Sequence, residues 1–150
     1  MRPLAGPALA LCVLTAWAAL PAPAAGGTAE RSLLESVNAF RAENGLPPLH
    51  ASRRLERSSR RWARHIARSG RPRHADLRPD ANGYDHMAEV IEWHAGSAER
   101  PAAALAAWRA SPEHRALLLD PDVHDFGSGR ARGRIGGRRS TVWVARLGGG

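Results

Sequence analysis

The only cysteine in the chain, Cys12, lies in an apolar run near the amino terminus, and none follows it. A domain folded from the rest of the sequence is therefore held by its core, without a disulfide. The segment around Cys12 reads as a secretory signal peptide. Arg2 gives a short basic start, residues 8–20 are apolar, and residues 21–27 are small or proline. Ala22-Pro23-Ala24 fits a cleavage site, placing the cut after Ala24. The apolar run falls short of the ~20 residues that cross a bilayer. Leu11 stands where lipid attachment at Cys12 would need a small residue, so Cys12 is an apolar residue of the leader. The expectation is a signal peptide over 1–24 and one secreted or extracytoplasmic domain over 25–150, with no transmembrane segment. That length buries a core without covalent staples.

The formal net charge is +8, and the leader contributes only Arg2 to it. Every cation other than histidine is arginine, which with abundant Ala, Gly and Pro resembles a coding bias. Two readings follow: a solvated basic surface, or one that binds polyanions. Export removes nucleic acid as a partner and leaves an anionic envelope polymer.

Leu33, Leu34, Val37 and Phe40 form a helical stripe over residues 30–44, stopped by Asn44-Gly45. Pro47 and Pro48 force an extended connector. A second helix starts after Ser52 and runs to Ser69 with Gly70 as its stop. Its inward stripe is Leu55, Ser59, Trp62, Ala63 and Ile66, and arginines fill the rest. Residues 70–83 read as a loop closed by an Asn82-Gly83 turn. Residues 86–93 read as a short strand or a helical turn, a helix is expected from Ser97 to Trp108, and Ser111-Pro112-Glu113 restarts a short one. Strands over 123–132 and 140–147, joined through residues 133–137, make a hairpin with Val142 and Val144 on one face and Trp143 on the other. The order gives an α+β fold with helices covering a small antiparallel sheet.

No cysteine nucleophile survives processing, and neither Gly-x-Ser-x-Gly nor His-Glu-x-x-His occurs. Histidine and acid remain. His74, His94 and His114, with Glu89 and Glu92, carry donor types that suit a divalent metal such as zinc, though without a diagnostic spacing.

One pattern spans residues 30–147. It reads Leu34-x-x-x-Asn38-x-x-Arg41-x-x-x-Gly45-Leu46-Pro47-Pro48-Leu49, then His74, then Ala88-Glu89-Val90-Ile91, then Ala107-Trp108-x-x-Ser111-Pro112-Glu113-His114-Arg115, then Phe126-Gly127-x-Gly129. It resembles the bacterial branch of the CAP superfamily of cysteine-rich secretory proteins, antigen 5 and pathogenesis-related proteins. The resemblance implies a three-layer α-β-α sandwich with a cleft lined by two His and two Glu, which holds zinc in some members. Here it assigns His74, Glu89 and His114. The second Glu corresponds to Ser111, Glu113 stands where Gly is usual, and Val90 where Asn is common. His65, His86, His94 and His124 receive no role.

Three functions follow from the residues and the resemblance. The first is a non-enzymatic binder of a lipid or cell-envelope ligand at the His/Glu cleft. The second is a zinc-assisted hydrolase, with His74 and His114 holding the metal and Glu89 as base or third ligand. The third is a polyanion binder acting through Arg57, Arg60, Arg61 and Arg64. Without metal, the two imidazoles and the carboxylate equally make a hydrogen-bonded brace across the cleft.

Overall fold

The computed structural model describes residues 27–78 and 83–150. The expected leader over 1–24 lies outside the described residues, as does Asn82 of the expected turn; Gly83 follows with φ 67°.

Helix α1 (Thr28–Glu43) turns Leu33, Val37 and Phe40 inward at helical spacing. It ends through Gly45 at φ 72°, where the Leu46 amide donates back to the Arg41 carbonyl. The extended connector that follows is tied to α1 by Asn38, whose side-chain amide donates to the Leu49 carbonyl and whose oxygen accepts the Leu49 N–H. Arg41, fully buried, donates to the carbonyls of Pro47, Leu118 and Asp120. Asn38 and Arg41, met first as elements of a sequence pattern, are thus the clamp joining α1 to its connector and to a distant helix end.

The connector runs into β1 (His50–Ala51), a two-residue strand too short to register as periodicity. Ser52 then caps α2 (Arg53–Ser69) by accepting the Leu55 N–H, and Gly70 ends it in the left-handed conformation. Its buried face is Leu55, Ser58, Ser59, Ala63, Ile66 and Ala67, whereas Trp62 is only half-buried. Strand β2 (His86–Ala95) follows. Helix α3 (Pro101–Ala110) starts at a proline, later than the expected Ser97, because Pro101 fits only the first turn of a helix. Helix α4 (Pro112–Leu118) restarts after Ser111 as expected.

Strands β3 (Asp125–Ile135) and β4 (Arg138–Gly149) form the hairpin, but its turn is tighter than the sequence suggested. Gly136 and Gly137, at φ 55° and 79°, make the two-residue turn, and Gly133 remains in the strand. Gly133 faces α2: a Cβ there would lie 2.2 Å from the Ala67 carbonyl oxygen, and one at Gly129 2.4 Å from the Arg60 Cα. Glycine at alternate positions of β3 lets the α2 backbone rest directly on the sheet, and the Ser59 hydroxyl donates to the Gly127 carbonyl at 2.7 Å.

The sheet order is β1-β3-β4-β2, antiparallel except where β1 runs parallel to β3. One face carries Val90, Trp143, Ala145 and Leu147 against α1, α3 and α4. The other carries Ile91, Val142 and Val144 against α2. The result is the α+β, three-layer α-β-α sandwich expected from the resemblance. No described helix is long and apolar enough to cross a membrane. With one cysteine, the chain has no internal disulfide.

Candidate functional site

Strand β2 lies at one edge of the sheet, and Glu89 points from it toward the α2 side, like its alternate neighbour Ile91. In the β2–β4 register Glu89 stands opposite Arg146, two positions beyond Val144 on the same face. The guanidinium meets the carboxylate there: Nε and one terminal nitrogen of Arg146 each lie 3.0 Å from Glu89 Oε2. Both side chains are buried, Glu89 to 1% exposure and Arg146 to 7%. The other oxygen, Oε1, lies 3.0 Å from His74 Nδ1 and accepts the Ala75 N–H at 3.0 Å.

His74 sits in the irregular segment after α2, and this segment is pinned from two sides. The Trp62 indole N–H donates to the Arg73 carbonyl at 3.0 Å, and the Ala75 amide is held by Glu89. The Nδ1 contact with a carboxylate sets the His74 tautomer and leaves Nε2 without a partner among the described residues. The ring is 59% exposed. His114, in the first turn of α4, comes within a ring-centroid distance of 6.3 Å of His74, tilted by 49°. Burial, followed by repulsion from His74, holds the His114 pKa below its ordinary value, with Glu113 partly opposing.

The structure therefore brings His74, Glu89 and His114 together at the open edge of the sheet. Ser111 ends α3 and begins α4 without a side-chain cap bond and supplies no second carboxylate. Three other histidines make their contacts elsewhere. His94 contacts Glu92 and the Ala98 carbonyl, His86 contacts Asp120, and His65 stacks on Trp62. Sequence reasoning missed Arg146. A cation alternating with Val142 and Val144 on an inward face needs a buried partner, and Glu89 on the paired strand provides it.

A zinc site built on three protein ligands does not fit these residues. Glu89 has both oxygens engaged, one by Arg146 and the other by His74 and Ala75. Only the two imidazoles remain to offer, and catalytic zinc ordinarily has three protein ligands. Among the described residues, no group of three or more His, Cys, Asp or Glu is placed to hold a metal.

A depressed His114 pKa has a defined consequence. In the window between the folded value and about 6.5, the unfolded chain binds the proton and the folded chain does not. Stability rises with pH across that window and is reduced below it. Urea unfolding from pH 5 to 8 is expected to show this slope in the parent and a flatter one in His114→Gln.

A cleft of about 670 Å³ opens beside His74, with Arg61, Trp62, Arg73 and Arg146 in its wall. Three stacked layers, with a buried Glu–Arg pair and an exposed His at an open strand edge and a surface cleft beside them, define a small α+β domain that presents a ligand-sized concavity.

The chain belongs to the CAP family, the cysteine-rich secretory protein family, whose model matches residues 34–147. Solved structures agree with this fold. An outer surface protein from Borrelia burgdorferi is 17% identical with a TM-score of 0.64, over 81% of this chain and 92% of that one. An extracellular SCP-domain protein from Bacillus anthracis is 15% identical with a TM-score of 0.64, over 81% of this chain and 40% of that one. NaASP2, solved with Zn2+, is 12% identical with a TM-score of 0.65, over 85% of this chain and 83% of that one. No curated protein matches the chain significantly.

Proposed function

We propose that the protein is an exported, non-enzymatic binding module that takes a lipid or cell-envelope ligand in the cleft beside His74, Glu89 and His114. The observation that carries this reading is the saturation of Glu89. Its oxygens accept from Arg146, from the Ala75 amide and from His74, so this carboxylate is not free to act as base. What remains at the surface is an exposed imidazole, a half-buried one and a concavity of ligand size. Export is supported by the apolar leader pattern and by the extracellular SCP-domain protein of Bacillus anthracis with the same fold.

Zinc-assisted hydrolysis is the alternative. It has the facing His74 and His114 rings in its favour and lacks a free base. Polyanion binding through α2 is retained in altered form. Arg57, Arg61 and Arg64 are exposed, whereas Arg60 is bridged to Glu56 at 2.6 Å.

The test uses purified bacterial cell wall and phosphatidylglycerol vesicles as probes, with His74→Ala and His114→Ala as variants. Neither ring is in the core, so both variants are expected to fold. The parent should bind one probe, and the variants should bind it about fivefold or more weakly, roughly 1 kcal/mol. Parent-like binding by both variants would overturn the cleft assignment.

A further inference from the structure

The charges around the cleft do not balance. Among the described residues, the acid in its wall, Asp76, is paired with Arg78 at 3.2 Å, and Glu89 behind the wall is paired with Arg146. Two of its cations are left over. Arg61 is exposed and has no partner among the described residues, and Arg73 meets no acid among them, only the His65 ring at 3.5 Å and the Trp62 ring. Trp62 shares the cleft wall with them, stacked on His65 at 4.5 Å and 11° and held by its indole bond to the Arg73 carbonyl. The Arg73 guanidinium sits 5.8 Å from the Trp62 ring centroid. The cleft thus offers two guanidinium forks, a flat aromatic wall held in one orientation and the exposed His74.

Resting on the cleft reading above, we propose that this cleft binds a phosphodiester-linked polyol or sugar polymer, with one phosphate held between Arg61 and Arg73 and the adjoining unit laid on Trp62. Guanidinium forks match phosphate oxygens in pairs, and an aromatic face accepts the carbon-bound face of a polyol or sugar. A polymer suits this site better than a bilayer surface. Trp62 lies flat on His65 and is half-buried, so it does not project as an apolar wedge. The exposed large hydrophobic side chain among the described residues is Trp93, which is not in the cleft wall.

A second basic cleft supplies the control. Arg68, Arg132, Arg134 and Arg139 line a concavity of about 790 Å³ that has no aromatic wall and no histidine. Removing two charges there changes the net charge as much as removing two beside Trp62.

The experiment titrates the protein with poly(glycerol phosphate), neutral dextran, inorganic phosphate and phosphatidylglycerol vesicles. Parent, Arg61→Gln/Arg73→Gln, Arg68→Gln/Arg139→Gln and His114→Ala are compared. The expected result is saturable binding of poly(glycerol phosphate), weakened about tenfold or more in Arg61→Gln/Arg73→Gln and about twofold or less in Arg68→Gln/Arg139→Gln. Inorganic phosphate should compete weakly and dextran should not bind. Equal losses in the two double variants would overturn the proposal in favour of diffuse charge attraction. So would vesicle binding that persists in Arg61→Gln/Arg73→Gln without polymer binding by the parent. Loss in His114→Ala with parent-like binding in Arg61→Gln/Arg73→Gln would keep the cleft reading and remove the phosphate assignment.

Discussion

Replacing Arg146 by alanine is expected to lower the unfolding free energy by about 3–5 kcal/mol, because it strands a buried carboxylate without its counter-charge. The pair is enclosed, with 1% and 7% of the two side chains exposed. Glu89 would keep the Ala75 amide and His74, but both lie on Oε1, and Oε2 would lose its guanidinium donors. Glu89→Gln/Arg146→Met removes both charges and retains comparable volume, so it should recover much of the loss. Urea unfolding of the parent, Glu89→Gln, Arg146→Met and the double variant gives the coupling directly. A cost under about 1 kcal/mol for Arg146→Ala would mean that water reaches the pair in solution.

Arg41→Ala is expected to cost a similar amount, about 3–5 kcal/mol, for a different reason. Among the described residues Arg41 pairs with no carboxylate at bonding distance; it donates to the carbonyls of Pro47, Leu118 and Asp120. Its removal empties a fully buried volume and leaves three carbonyls facing it without their donor. Arg41→Lys cannot replace the fork, since one ammonium does not reach carbonyls placed around a planar group. It should recover less than half of the loss in thermal or urea unfolding. Recovery to the parent value by lysine would show that charge rather than fork geometry holds the α1 connector to the end of α4.

Much of the framework could be read from the chain because local chemistry and tertiary packing agree. Ser52 and Gly70 bracket α2 where capping chemistry places them, and Val142, Trp143 and Val144 divide between the two faces as alternation requires. The departures occur where tertiary contact decides. Gly133 looks like part of a loose turn when read alone, yet it lies in β3 because α2 needs a residue without a Cβ there. Trp62 falls on the helical stripe but rests half-exposed, since its indole reaches across to the Arg73 carbonyl and braces the His74 segment. Ser58 and Ala67 take up the burial that the stripe assigned to it.

At the site, the sequence pointed to His74, Glu89 and His114, and the fold gathers them. It did not reveal what Glu89 is doing, because that depends on the β2–β4 register, which aligns Glu89 with Arg146 across a span of 57 residues. The carboxylate looked available as a ligand or a base when only its own strand was considered. Paired with Arg146, it becomes the post that orients His74 and anchors the segment carrying Arg73.

The most direct measurement of that role is zinc titration of the parent and Glu89→Gln by calorimetry, with elemental analysis of the dialysed protein. If Glu89 serves as an anchor, the parent shows no stoichiometric site tighter than about 1 μM. Any weak binding through the two imidazoles then changes little in Glu89→Gln. One tightly held zinc per chain, lost on Glu89→Gln with the fold intact, would contradict it and return the carboxylate to the metal.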